Sequence, residues 1–475
     1  MVVQHNLRAM NANRMLGITT GVLSKSSEKL SSGYKINRAA DDAAGLAISE
    51  KMRKQMRGLT QASSNAEDGI SAVQTAEGAL TEVHDMLQRM NELAVKAANG
   101  TNALSDRQTI QDEVDQLLTE IDRVAETTKF NEIYLLKGDA NRVEKYLEAK
   151  DAGIDGQLQD GATFATFTMN ALKFGDSISI GGKQYQIGET KADGGIDKLQ
   201  DMIKNPASVA AGELITIDGV QYTVASDATT ENADKNILMR DKIAEKVVEQ
   251  SSVLYKGKTY HIMKDEKSAN GANGSDGVDD VDASIIDATT AYSMIRQELA
   301  LANSIGAKAG GNAVVKEVNT DTEGKAIFKI EQKGKYDVQE ALNFQLHVGA
   351  DADMTNKIGV TIDALDTRGL GINGLNVKDS TGASATYAID SIAEAIAHVS
   401  KQRSMLGAVQ NRLEHTINNL DNVVENTTAA ESQIRDTDMA TEMVKYSNAN
   451  ILQQAGQSML AQSNQANQGV LSLLQ

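Results

Sequence analysis

From Leu59 onward apolar residues recur at every seventh position, at Leu59, Ala66, Val73, Leu80, Leu87 and Ala94. A second series follows three residues behind, at Ala62, Gly69, Ala76, Val83, Met90 and Ala97. Two interleaved series of this kind fill the a and d positions of a coiled coil. No proline falls between Met52 and Ala98, so the pattern predicts one long helix, reaching about 70 Å. Asn99-Gly100-Thr101-Asn102 then reads as a turn. Ser105, with Gln108 three residues on, predicts a capping box for a second helix whose core face is Ile110, Val114, Leu117, Ile121 and Val124. Near the other end Ile392, Val399, Leu406, Leu413 and Leu420 again repeat by seven. Ile389, Ile396, Val409, Ile417 and Val424 flank them, and Arg403 and Gln410 interrupt that second seam. The three helices carry seams that need one another, which makes the intervening chain an insertion.

The insertion has a different period. Ile178 to Ile187, Ile215 to Val224 and Val253 to Ile262 each alternate apolar and polar, turn at glycine, and alternate again, at offsets of 37 and 38 residues. Helical stretches such as Ile196 to Ile203 and Ile243 to Val248 follow. This predicts about three ββα modules in a domain that stands outside the helical bundle and tolerates change without disturbing it.

Composition narrows the chemistry. The chain has no Cys and no Trp, one Pro and only 6 Phe, so disulfides and cysteine-ligated metals are excluded and the core rests on aliphatic residues. A net charge of −18 (47 Lys+Arg against 65 Asp+Glu) repels phosphate backbones and anionic lipid, which argues against nucleic acid and membrane partners. No apolar run reaches the length of a membrane span, and the N-terminus lacks a secretory pattern. No Walker loop, Gly-x-Ser-x-Gly elbow or His-x-x-x-His pair occurs, and Ser275 to Asp282 lacks the spacing of an EF-hand and reads as a solvated loop. The expectation is a protein without enzymatic activity, cofactor or metal.

The ends are unusual in charge. Residues 1–40 carry six Lys/Arg and one Glu, and residues 446–475 carry no charged side chain. In that tail Ile451, Leu452, Met459, Leu460, Val470 and Leu471 lie among Asn, Gln and Ser. Such an uncharged amphipathic helix calls for a partner that covers it.

At the level of motifs both ends resemble bacterial flagellin, the flagellar filament subunit. The resemblance is carried by Leu30-Ser-Ser-Gly-Tyr-Lys-Ile-Asn37, Asp41-Asp-Ala-Ala-Gly-Leu-Ala-Ile48, Leu87-Gln-Arg-Met-Asn-Glu-Leu-Ala-Val95 and Ile110-Gln-Asp-Glu113. Ala430-Glu-Ser-Gln-Ile-Arg-Asp436, Met439-Ala-Thr-Glu-Met443 and Gln465-Ala-Asn-Gln468 carry it at the other end. It implies a mainly α fold: a coiled-coil bundle of N- and C-terminal parts, with a β-hairpin at Phe344 to Ile362 and an inserted α+β outer domain. The implied boundaries are 1–34 and 435–475 for terminal helices that pair in the filament core, 35–138 and 344–434 for the bundle, and 139–343 for a variable, solvent-facing domain.

The resemblance further implies head-to-tail polymerisation into a homopolymer and export through the type III flagellar apparatus with a chaperone. Filament cap and hook-junction proteins are its implied partners, and its implied location is extracellular. A hook-filament junction protein of the same superfamily is the alternative. For the host flagellin-sensing Toll-like receptor, the resemblance places contacts at Arg89, Leu93 and Glu113. Arg89 and Leu93 are four residues apart and off both seams, so both are expected to point outward.

Overall fold

The computed structural model describes residues 6–266, 275–308, 310–320, 324–379 and 382–473. About half the chain is helical, in two compact units: Met1–Gln74 with Asn343–Val360 and Leu406–Gln475, and Thr75–Leu342 with Thr361–Met405. The helices are α1 (Leu7–Ser32), α2 (Ala43–Ala98), α3 (Leu104–Thr127), α4 (Gly195–Lys204), α5 (Arg240–Ala244), α6 (Ala288–Ala302), α7 (Ala383–Arg435) and α8 (Met439–Leu473). The long helices α2 and α7 each contribute to both units.

In the first unit α1 and α8 run antiparallel. The Ser26 hydroxyl donates to Glu442 at 2.6 Å near one end, and the Asn6 amide donates to the Ser463 carbonyl at 3.3 Å near the other. Asn6 also caps α1 by accepting from the Ala9 N–H at 3.0 Å, and Gly33 in the left-handed region (φ 76°) ends it. The first part of α2 packs on the second part of α7 through Ala66 and Leu413, and the hairpin β18–β19 (Leu342–His347 and Lys357–Ile362) closes that core with Val348 and Ile358. Gly69 occupies a seam position because a Cβ there would fall 2.2 Å from Leu346 Cδ1 of the hairpin.

In the second unit the rest of α2 buries Ala76, Leu80, Val83, Leu87, Met90, Ala94 and Ala97, and α7 buries Ile392 and Val399. Both series of this part of α2 and the Ile392 series of α7 are therefore core, as their spacing predicts, while the flanking series of α7 is only half-buried. Helix α3 differs from expectation. It starts at Leu104, with Asp106 accepting from the Ala103 N–H at 3.2 Å, so Ser105 lies inside the first turn and is not the cap. Its buried stripe is Arg107, Ile110, Gln111, Val114, Leu118, Ile121 and Ala125, which leaves Leu117 half-buried.

The rotation has a cause. An irregular segment, residues 363–379, lies along α3, and polar side chains of the helix satisfy its backbone. Arg107 donates to the carbonyls of Asp379 (2.7 Å) and Ala97 (2.9 Å). Gln111 donates to the Leu375 carbonyl and accepts from the Val377 N–H, and Asp122 accepts from the Thr367 N–H and hydroxyl.

After a short β1–β2 turn (Lys129–Phe130, Ile133–Tyr134), the insertion enters on β3 (Arg142–Tyr146) and leaves on β17 (Lys335–Gln339), which pair antiparallel. Between them, β4 (Gln157–Asp160), β5 (Ala165–Asn170), β15 (Val314–Thr320) and β16 (Lys325–Gln332) form one sheet in the order β15-β16-β5-β4. The three expected hairpins are present: β6–β7 (Ser177–Ile180, Lys183–Ile187), β9–β10 (Leu214–Ile217, Val220–Val224) and β12–β13 (Ser252–Tyr255, Lys258–Met263). Each turns through two residues of positive φ, Gly181-Gly182, Asp218-Gly219 and Lys256-Gly257, as the tightest hairpin connection requires.

Short strands β8 (Glu189–Thr190), β11 (Ile237–Leu238) and β14 (Ile285–Ile286) precede α4, α5 and α6 and pair in parallel with hairpin strands. β11 pairs with its own hairpin, but β8 pairs with β13 and β14 with β7. The first and third modules have therefore exchanged strands. Residues 189–263 form a six-stranded sheet, β11-β10-β9-β12-β13-β8, with their own core of Leu199, Ile203, Ile215, Val253 and Ile262 among others, inserted between β7 and β14. The acidic stretch at Ser275 to Asp282 is more ordered than a solvated loop: Asp279 is buried and accepts from the N–H groups of Lys264, Val281 and Asp282.

Candidate assembly and recognition surfaces

The paired terminal helices bury little of their own apolar surface. On α1, Leu7, Met10, Met15, Ile18 and Val22 are exposed; on α8, Ile451, Leu452 and Met459 are 61%, 60% and 62% exposed. Leu460 is half-buried, and the side chains of Val470 and Leu471 lie outside the described residues. Two helices in contact cover one stripe each, and here the second stripe is also apolar. Such a surface is costly in water and is stabilised once another protein covers it.

Arg89 and Glu113 come together from α2 and α3. The Arg89 guanidinium donates to Glu113 Oε1 through Nε (3.0 Å) and Nη2 (2.8 Å) and to Glu92 through Nη1 (3.0 Å), with all three side chains largely in solvent. The Glu113 hydrogen bond, followed by that of Glu92, raises the Arg89 pKa. Leu93 is 2% exposed, against the expectation that it points outward. Asn65, Ala72, Ala79, Met86 and Leu93, each one residue ahead of the first seam, are all buried or half-buried, so the covered face of α2 is wider than two coiled-coil seams.

Of the other seam residues, Val73, Leu80, Leu87, Val114, Ile121, Val399, Leu406, Leu413 and Leu420 are buried. Leu59 is half-buried because it lines a surface groove of about 470 Å³ beside the hairpin. The flanking series on α7, Ile389, Ile396, Val409, Ile417 and Val424, is half-buried throughout.

Two family models match the ends of the chain: the bacterial flagellin N-terminal helical region over residues 3–141 and the C-terminal helical region over residues 389–474. A flagellin of Clostridium tyrobutyricum is 38% identical over 468 residues, covering 98% of this chain and all of that one. A flagellin of Halalkalibacterium halodurans is 33% identical over the full length of both. The chain belongs to the bacterial flagellin family.

As a flagellin it is a structural subunit that self-polymerises into the flagellar filament. Among solved structures, a flagellar hook-associated protein of Legionella pneumophila matches at 14% identity over 81% of this chain and 98% of that one, with a TM-score of 0.33. Among the described residues of this flagellin no helix is long and apolar enough to cross a membrane, and none of them form a group of three or more His, Cys, Asp or Glu placed to hold a metal. The periodicity gave no sign of the polar residues that organise the bundle, Arg107, Gln111 and Asp122 on α3 and Tyr34, Arg53 and Arg435 near the terminal helices. Tyr34, Gln111 and Arg435 stand inside the motifs that carry the resemblance, whereas Arg107 and Arg53 show only as charged side chains beside an apolar seam.

Proposed function

We propose that the exposed apolar stripes of α1 and α8 are the surface through which copies of this flagellin polymerise. The observation that carries this is the exposure of Ile451, Leu452 and Met459 on a helix that is uncharged beyond Lys445. Such residues lose water only against another copy, so ordering of the terminal pair and growth of the filament are coupled. An open helical polymer needs two different surfaces meeting head to tail. In this reading residues 1–34 and 435–475 form the inner layer, 35–138 and 344–434 the next, and 139–343 faces solvent outside the cell.

Delivery there uses the flagellar export apparatus and a chaperone, and the filament meets cap and hook-junction proteins at its ends. The chain has no catalytic role. Arg89 and Glu113, exposed and joined across two helices, are the contact for the flagellin-sensing Toll-like receptor, with Leu93 supporting them from the core.

Deleting residues 446–475 tests the assembly surface. The truncated chain is expected to keep a folded bundle by circular dichroism and to stay in the supernatant when seeded and sedimented. Filaments of normal yield from the truncated chain would remove the role assigned to α8.

A further inference from the structure

Where the terminal pair meets the bundle, the two connecting strands cross. Lys35 N–H donates to the Arg435 carbonyl at 2.6 Å, Thr437 N–H donates to the Gly33 carbonyl at 2.9 Å, and Tyr34 and Asp436 form an antiparallel bridge between them. Beside the bridge the guanidinium groups of Arg53 and Arg435 both lie over the Tyr34 ring, at 5.5 and 4.8 Å from its centre. Two cations over one ring repel unless each has its own counter-charge. Here the counter-charges are reciprocal. Arg53 of α2 pairs with Glu431 of α7 at 2.9 Å, and Arg435 of α7 pairs with Glu50 of α2 at 2.7 Å.

Arg53 Nη2 also donates to the Tyr34 hydroxyl at 3.3 Å. Stability alone does not account for the arrangement, because two buried polar atoms at the same crossing, Nε of Arg435 and Oγ1 of Thr437, find no hydrogen-bond partner among the described residues.

We infer that Tyr34, Arg53 and Arg435 form a clasp that fixes the direction in which the α1–α8 pair leaves the bundle, and that they are positioning residues for polymerisation. The inference rests on the reading of α1 and α8 as the assembly surface. A subunit in a filament repeats at a fixed rotation and rise, so its terminal pair must leave the bundle at one angle in every copy. Two backbone hydrogen bonds alone form a hinge. A planar ring held under two guanidinium groups, each tied to the opposite helix, removes the remaining freedom.

Full-length Tyr34→Leu and Tyr34→Phe chains test this. Tyr34→Leu removes both ring contacts and is expected to leave helical content and melting temperature near those of the parent. It should raise the subunit concentration needed for filament growth about five-fold or more. Tyr34→Phe keeps the ring and is expected to restore growth. Parental growth of Tyr34→Leu overturns the inference. If Tyr34→Leu also melts early, Arg435→Lys decides in its place, since it keeps a charge for Glu50 and gives up the guanidinium over the Tyr34 ring; parental growth of that variant overturns the inference equally. Assembly by the 446–475 truncation would instead remove the underlying reading, so the two failures are distinguishable.

Discussion

Arg89 donates three hydrogen bonds to two carboxylates in a solvent-exposed setting. There solvent screens the ion pair and it adds little stability, so a role in recognition can be tested without disturbing the fold. Arg89→Ala and Glu113→Gln are expected to leave the melting temperature unchanged and to weaken binding of the monomer to the flagellin-sensing receptor, Arg being a frequent anchor of interfaces. Leu93→Ala is a poor probe of the same site. Leu93 is buried, and truncating a buried leucine costs roughly 2–5 kcal/mol, so lost binding would report unfolding as readily as contact. Surface-binding measurements on the two polar variants decide the matter, and unaltered affinity in both would refute the proposed contact. A spacing of four puts Arg89 and Leu93 close together around the helix, but Arg89 is exposed and Leu93 is buried, because whether a position is open depends on how many neighbours cover the helix. That number is a tertiary property that a two-seam reading of α2 underestimates.

Among the elements, the hairpins were legible because their determinants are local: alternation sets the faces, and a pair of positive-φ residues sets the turn. The exchange of β8 and β14 between modules was not, since the short strands carry two residues each and their partners lie about 75 and 100 residues away in sequence. A charge cluster that joins the β9–β10 and β12–β13 hairpins gives their sheet a pH dependence. The Glu213 carboxyl is held down to about 2, first by the Tyr255 hydroxyl, then by the Ala210 N–H and the Lys256 ammonium. A carboxyl depressed in the folded state contributes stability above its unfolded value near 4.5, and that contribution is lost as the pH falls toward 2. Glu213→Gln removes the titrating group. Its melting temperature should therefore fall less steeply than the parent's on acidification through this window, as followed by circular dichroism. Equal slopes would show that the hydrogen bonds to Glu213 do not distinguish folded from unfolded chain.

At the scale of the whole molecule the insertion is tied to the rest of its unit more closely than its composition implies. Entry and exit are adjacent, Arg142 being the register partner of Gln339, so a short linker can replace what lies between. The insertion nevertheless covers the start of α7. Ala383 and Tyr387 are buried in its core, the Tyr387 hydroxyl donates to Glu298 at 2.8 Å, and Lys150 lies against Ser391 and 3.6 Å from Glu394. Buried apolar residues at this end of α7 would meet water once residues 145–340 were gone, and the first turns of a helix without packing fray.

Deletion of 145–340 with a linker is therefore expected to keep polymerisation, because the apolar stripes of α1 and α8 and the seams at Leu80, Leu87, Leu406 and Leu413 all lie outside the deleted span. It should also make amide exchange fast over residues 383–391 while the rest of α7 stays protected. Replacing Tyr387 by Gln in the deleted chain should then improve solubility without changing filament yield. Sedimentation and hydrogen-exchange measurements on the same preparation separate the two effects. Loss of assembly with α7 fully protected would mean that the insertion itself takes part in subunit contacts, and general loss of protection would mean that the bundle depends on it to fold.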